Sequence, residues 1–242
     1  IAVVFGWRAF GITATIALFA TFIVFAEFAA TRNAPSIDAT SLDTVTRRHL
    51  VALIVFWAIQ AADAQIARFG FGGELAGRYS ATAQLGKAAL IIPLMIVQVA
   101  FPDMSSPDDD RAHRAYVRSS IEICAVSALV FALLFVTHGR LVSGLLGGQF
   151  VEQSHIVWQM AAVCLPYSLA NLELSYTVAR GQLRKPLVMV VILIAFLASG
   201  LAWATSPSRL VIFNLVVAVA LFTGLRAQRP SIVRSSGAET RS

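Results

Sequence analysis

The chain has 242 residues, of which 57% are hydrophobic and only 13% are charged, whereas soluble domains carry about 25% charged residues. Its mean hydropathy is +0.74, and several apolar stretches reach about 20 residues, the length that a helix needs to cross about 30 Å of hydrocarbon. This composition excludes an ordinary soluble enzyme and predicts a membrane protein with several spans. The net charge of +6 comes from residues in loops and the tail, so membrane topology explains it better than a nucleic-acid surface does.

Apolar runs separated by Arg, Asp, Pro and Gly predict an all-α fold of about seven transmembrane helices. Their approximate bounds in chain order are 6–28, 50–69, 78–101, 116–136, 155–178, 186–204 and 210–225. We expect a polar linker over residues 31–48 and a basic tail over residues 227–242. Pro93 predicts a kink in the third helix. Because Ile1 lies inside an apolar segment, we also expect that further chain precedes it.

The basic residues are distributed unequally between the two sides that seven crossings create. One side holds 13 lysines and arginines and the other holds 5, while Lys87 lies within a helix. Cytoplasmic loops carry the excess of basic residues, so the C-terminus is predicted to lie in the cytoplasm, as is the linker over residues 31–48. The richer side comprises Arg32, Arg47, Arg48, Arg111, Arg114, Arg118, Arg180, Arg184, Lys185, Arg226, Arg229, Arg234 and Arg241, and the other comprises Arg8, Arg68, Arg78, Arg140 and Arg209.

Two opposite charges lie deep in consecutive predicted helices, Asp63 in the second and Lys87 in the third. Each has a glutamine three residues before it, Gln60 and Gln84, on the same helix face. An ideal helix also brings Gln98 onto the Lys87 face, within about 60° of arc. Ionisable groups in hydrocarbon normally face protein or a water-filled cavity, so one side of the third helix is predicted to be wet or buried in protein.

Three interpretations of the Asp63 and Lys87 charges remain open. The two side chains could pair and hold the helices together, or the polar stripe could line a cavity in which Lys87 attracts an anionic head group. The third interpretation is a proton or cation relay through Asp63. The first two are compatible if the pair opens.

Catalytic chemistry is not indicated. The chain has no GxxxxGK[ST] phosphate loop, and its four histidines are scattered near helix ends, which predicts neither a zinc nor a catalytic site. Asp108, Asp109 and Asp110 lack the spacing of a calcium loop and are typical of a solvated or helix-capping turn. Cys124 and Cys164 fall in apolar segments, where small buried hydrophobic residues are expected. We therefore predict no catalytic residue, no metal and no cofactor.

Residues 59–105 resemble the Wzx-type polysaccharide biosynthesis (oligosaccharide flippase) family of the MOP superfamily. The matching features are an Asp-containing helix at Asp63, a Gly turn at Gly72-Gly73, the start Ala76-Gly77-Arg78-Tyr79, a Lys-containing face at Lys87, and an apolar run closing on Phe101-Pro102. A second matching stretch, residues 145–181, has a Gly-containing turn, a long helix, and an ending that runs from Asn171 to Ala-Arg-Gly at 179–181.

This resemblance implies a MATE-like transporter of two six-helix lobes around a cavity that opens alternately to each side. Residues 1–30 would then be the last helix of the first lobe, and residues 49–226 the second lobe. The implied function is the flipping of undecaprenyl-pyrophosphate-linked oligosaccharide across the inner (cytoplasmic) membrane, for surface polysaccharides such as the O-antigen of lipopolysaccharide. The implied partners, besides membrane lipids, are the polymerase and glycosyltransferases of the pathway, with no nucleic acid.

The same resemblance implies roles for individual residues. Lys87, beside Asp63, would attract the pyrophosphate or acidic sugars. Glutamine side chains would bond sugar hydroxyls, and two arginines would guide release on the outer side. The expected cavity residues are Lys87, Asp63, Gln84, Gln60, Gln98 and Asn171, and the expected release residues are Arg68 and Arg78.

Other functions remain open at this point. A lipid II flippase or an ion-coupled multidrug antiporter of the same superfamily would use Asp63 as its ion or drug site. A membrane-embedded glycosyltransferase or ligase would need longer outer loops with acidic and arginine residues. A purely structural membrane partner would not explain the polar stripe.

Overall fold

The computed structural model describes residues 39–180, 195–196, 199–200 and 205–227 of the chain, with side chains from residue 52 onward. The predicted helix over residues 6–28, most of the one over 186–204, and residues 228–242 of the predicted tail lie outside these ranges. The described chain is helical and contains no strand, as predicted. Its helices are α1 (Ala39–Gly70), α2 (Gly73–Lys87), α3 (Ile91–Met104), α4 (Asp109–Leu145), α5 (His155–Ala179) and α6 (Pro207–Arg226), with 3-10 turns at Ala88–Leu90 and Gly148–Gln153.

Four stretches of the described chain are long and apolar enough to cross a membrane. They are Ala52–Gly70, Gly73–Met104, Asp109–Leu145 and Pro207–Arg226. These helices support a polytopic membrane protein. Four spans within the described ranges do not establish the predicted total of seven.

The bundle is organised around α5, which packs against every other described helix. Most of its residues are buried, including Met160, Cys164 and Tyr167 in the main core and Leu172 in a second cluster with α3 and α4. A helix that is covered on all sides can carry polar groups toward its neighbours, because no face of it needs to match lipid.

Two helices begin well before their predicted bounds. α1 begins at Ala39, so residues 39–48 of the expected linker are helical. α4 begins at Asp109, in the charged segment between the third and fourth predicted helices. Polar residues are compatible with a helix that continues beyond the hydrocarbon, so hydropathy marks the end of the span rather than the end of the helix.

The start of α4 is capped as predicted for this acidic segment. The Asp108 carboxylate accepts hydrogen bonds from the backbone N–H of Asp110 at 2.9 Å and of Arg111 at 3.3 Å. These bonds satisfy two of the amide groups that a helix start leaves without partners.

The third predicted helix is divided into α2 and α3, and Pro93 lies at the start of α3. Proline has no N–H with which to bond the carbonyl four residues earlier, here that of Ala89. The chain accordingly passes through a 3-10 turn at Ala88–Leu90 between α2 and α3. Each residue of such a turn advances about 120° rather than about 100°. Gln98 is therefore rotated by about 60° from the position that a continuous helix would give it relative to Lys87.

The two cysteines differ in environment. Cys164 is buried in α5, as predicted, whereas Cys124 is exposed on α4. The prediction for Cys124 was wrong because an apolar run does not distinguish a lipid-facing surface from a protein-facing one.

Gly86 allows α2 to approach α5 closely. A Cβ atom at this position would lie 2.4 Å from the Val157 carbonyl oxygen and 2.7 Å from the Met160 Cβ. The first of these is backbone, so it cannot move aside as the end of a flexible side chain can. Gly77, on the same helix, has nothing within 4 Å of such an atom.

We expect Gly86→Ala to lower the free energy of unfolding by about 1–3 kcal/mol, because the added methyl group forces α2 away from α5. Gly77→Ala is the matched control and should raise it by up to about 1 kcal/mol, since alanine favours a helix. Thermal unfolding of the purified variants in detergent measures both. Equal midpoints for the two variants would show that the helices do not pack this closely.

Candidate functional site

Asp63 and Lys87 form a buried ion pair between α1 and α2. The Lys87 Nζ atom lies 2.6 Å from Asp63 Oδ1 and donates a second hydrogen bond to the Gln60 carbonyl oxygen at 2.5 Å. The Asp63 side chain is fully buried, and 10% of the Lys87 side chain is exposed. Of the three interpretations of these charges, the structure shows the first, in which the two side chains pair.

The position of Lys87 follows from the local sequence. It is the last residue of α2, directly before the 3-10 turn that leads to Pro93. The C-terminal end of a helix carries a partial negative charge, which favours a cation there. The adjacent Gly86 brings this helix end close to α5, so the ammonium group is held in the interior of the bundle.

Asp63 accepts three further hydrogen bonds, all from neutral donors. The Ala64 backbone N–H bonds Oδ1 at 2.8 Å. The Tyr79 hydroxyl and the Asn214 amide bond Oδ2 at 3.2 Å and 3.3 Å. A buried carboxylate requires such donors to replace water, and several of them stabilise its charged form.

Asn214 extends this network to α5. The Tyr167 hydroxyl donates to Asn214 Oδ1 at 2.6 Å, which orients the amide so that its N–H groups point toward Asp63. The rings of Tyr167 and Phe56 are in edge-to-face contact, with centroids 6.3 Å apart. Four helices, α1, α2, α5 and α6, therefore meet at one carboxylate.

The two partners of the ion pair are held unequally. Without Lys87, Asp63 would keep its three neutral donors. Lys87 has the Gln60 carbonyl as its other partner, and part of its side chain reaches the surface. Lys87 is consequently the partner that can exchange Asp63 for another anion at a lower desolvation cost.

The predicted glutamines do not all join the pair. The Gln60 backbone carbonyl accepts a hydrogen bond from Lys87. The Gln60 side chain is buried, and within the described ranges its amide atoms have no hydrogen-bond partner. Gln84 and Gln98 are exposed on α2 and α3. Amide side chains exposed in the middle of an apolar span indicate a face that meets water or protein rather than lipid.

The remaining predicted residues lie apart from the ion pair. Asn171 is buried in α5. Arg78 is nine residues before Lys87, about 13 Å along the helix axis, and pairs with Glu74 at 2.6 Å and Glu152 at 3.4 Å. Arg68 is exposed near the end of α1. The structure thus brings Asp63, Lys87 and the Gln60 backbone together and leaves the two arginines on the surface.

The predicted site did not include Tyr79, Tyr167 or Asn214, which the structure places in the network. Asn214 carries a detectable signal, because it is a single amide in the apolar span Pro207–Arg226. The tyrosines carry none, since a tyrosine in an apolar helix is equally typical of packing. A second buried carboxylate, Glu173 on α5, accepts a hydrogen bond from the Tyr116 hydroxyl at 2.9 Å.

Comparison with known proteins identifies no relative of this chain. No protein-family model matches it, and neither do the curated proteins or the solved structures. The described residues contain no group of three or more His, Cys, Asp or Glu side chains that could hold a metal ion. Among the described residues, the ion pair and its hydrogen-bond network form the candidate site.

We expect Lys87→Met to lower the free energy of unfolding by about 3–5 kcal/mol, because it leaves a buried carboxylate without its cation. The double variant Asp63→Asn with Lys87→Met should regain most of this loss, since no uncompensated charge remains. Thermal unfolding in detergent measures both variants.

The control for this experiment is Arg68→Met, which removes an exposed cation. Its stability should stay within about 0.5 kcal/mol of the original protein, as for most surface substitutions. If Lys87→Met alone were as stable as this control, the buried pair would not be the interaction that holds α1 to α2.

Proposed function

We propose that this chain is part of a membrane transporter that flips lipid-linked oligosaccharide across the cytoplasmic membrane for surface polysaccharide synthesis. The observation that carries the proposal is the unequal anchoring of the Asp63–Lys87 pair, with Lys87 partly exposed. The membrane-length helices supply the setting. The choice of substrate comes from the resemblance of residues 59–105 to oligosaccharide flippases.

In this proposal the substrate's pyrophosphate competes with Asp63 for Lys87. A phosphate oxygen accepts a charge-assisted hydrogen bond from the ammonium group, as the carboxylate does. After Lys87 leaves it, Asp63 keeps the hydrogen bonds from Ala64, Tyr79 and Asn214, which offset part of the lost attraction. The free-energy cost of breaking the ion pair is therefore partly offset for both partners. Lys87 gains a phosphate oxygen, and Asp63 keeps its three neutral donors.

The exposed face of α2 is compatible with a movement of the Lys87 side chain away from Asp63. Gln84 lies one helical turn before Lys87 and is exposed, so a side chain that swings out of the pair meets an amide rather than lipid. Amides can donate to and accept from sugar hydroxyls. A polar wall with one cation fits an anionic carrier joined to a neutral or acidic glycan.

A cation or cationic drug would meet a less suitable site. Asp63 is fully buried, and both of its oxygens already accept hydrogen bonds. A ligand cation would have to displace Lys87 and would then lie beside the released ammonium group, which repels it. We accordingly favour an anionic head group over the drug or ion alternative.

Deleting the gene should cause an oligosaccharide-linked lipid to accumulate on the cytoplasmic leaflet while the surface polymer is lost. Complementation with the double variant Asp63→Asn with Lys87→Met should restore surface polymer about 10- to 100-fold less well than the intact gene, the value of one charge-assisted hydrogen bond. Lys87→Arg should retain most of the activity. Extracted lipid-linked intermediates and surface polymer are the two measurements.

The double variant is the informative one because it removes the cation without leaving an unpaired buried charge. Its amount in the membrane must equal that of the intact protein. Full complementation by this variant would refute a role for Lys87 in the pathway. Deletion that changes drug or ion sensitivity without accumulation of lipid-linked intermediates would refute flipping itself and favour the antiporter alternative.

A further inference from the structure

α4 lies at the edge of the described bundle and leaves most of its surface uncovered. Only 17% of the residues in its most apolar window are buried. Its buried residues, such as Ala112, Tyr116 and Ile123, form a single stripe that packs on α3 and α5. The opposite side of α4 is available to the membrane or to another molecule.

The length of α4 places one of its turns at the membrane boundary. Its 37 residues span about 55 Å, which exceeds the hydrocarbon thickness of about 30 Å. Between Glu122 and Arg140 the helix carries no acidic or basic residue other than His138, so this part fits the hydrocarbon. Arg114 and Arg118 then lie where the helix leaves it, on the side predicted to be cytoplasmic.

At this boundary the outer side of α4 carries several polar and charged side chains. It presents His113, Arg114, Val117, Arg118, Ile121 and Glu122. Arg118 pairs with Glu122 at 2.7 Å. Across the described ranges, Arg114 and His113 have no acidic partner, in contrast to Arg111 and Arg180, which pair with Asp103 and Asp109.

This polar end continues into an apolar stripe along the same side of α4. Ile121, Leu129 and Val136 are 64%, 70% and 80% exposed. At about 100° per residue, these three side chains fall within about 80° of arc together with Arg114 and Arg118. A cationic end that continues into an exposed apolar stripe matches a molecule with an anionic head and a hydrocarbon chain.

We propose that this face of α4 binds an anionic phospholipid of the cytoplasmic leaflet. The phosphate would lie between Arg114 and Arg118, and an acyl chain would follow Ile121 and Leu129. Charge complementarity carries the assignment, because within the described ranges Arg114 has no acidic partner and Arg118 has only Glu122. A phosphate would supply the negative charge that this end of α4 lacks. Such a lipid would hold the edge of the bundle at a fixed depth, whatever the protein transports.

The purified protein in detergent should bind phosphatidylglycerol more tightly than phosphatidylcholine of equal chain length. Native mass spectrometry measures the bound fraction of each. Arg114→Gln and Arg118→Gln should each weaken phosphatidylglycerol binding by about fivefold, the value of one basic residue near an anionic surface. Arg140→Gln, an exposed arginine at the other end of α4, is the matched control and should leave the binding unchanged.

Two results of this titration would overturn the proposal. One is equal binding of phosphatidylglycerol by the double variant Arg114→Gln with Arg118→Gln and by the unaltered protein. The other is displacement of phosphatidylglycerol by millimolar inorganic phosphate, which would identify a site for a free anion instead of a lipid.

Discussion

The cost of placing a carboxylate inside a membrane-spanning bundle governs the arrangement around Asp63. An isolated charge in this environment would be strongly unfavourable, so the group must be neutralised or fully hydrogen-bonded. The bundle does both, through Lys87 and through three neutral donors. Because Tyr79 lies on α2 and Asn214 on α6, satisfying this one side chain fixes how three helices meet. Tyr167, which orients Asn214, adds α5 to the same arrangement.

Close helix packing is the condition for this network. Hydrogen bonds of about 3 Å between side chains on different helices require backbones that approach closely, and small residues permit that approach in membrane proteins. Gly86 serves this purpose at the contact of α2 with α5. It directly precedes Lys87, so the point of closest approach and the cation of the pair are consecutive residues. Packing and electrostatics are thus coupled at the end of α2.

The sequence was sufficient to predict the helical class, the extent of α5 and α6 to within a few residues, and the presence of two charges, Asp63 and Lys87, inside the bundle. Charged residues are rare in apolar runs, so these two were visible without a structure. The tyrosine and asparagine partners could not be predicted from the sequence, because their identity depends on which faces of four helices meet. The turn at Ala88–Leu90 also rotates Gln98 away from Lys87, which the helical period of the sequence did not predict. Hydropathy could not locate the starts of α1 and α4, because both helices begin in polar segments.

The described bundle has two kinds of exposed surface, and they have different physical requirements. One side of α2 and α3 exposes the amides of Gln84 and Gln98 within an apolar span. Lipid does not accommodate such polar groups. The outer side of α4 exposes Ile121, Leu129 and Val136, which lipid accommodates well. Lys87 lies one helical turn beyond Gln84 on α2, whereas Arg114 lies at the boundary of the apolar surface on α4. Each cation is therefore adjacent to a different environment, and only Lys87 has an internal carboxylate to hold it when no other anion is present.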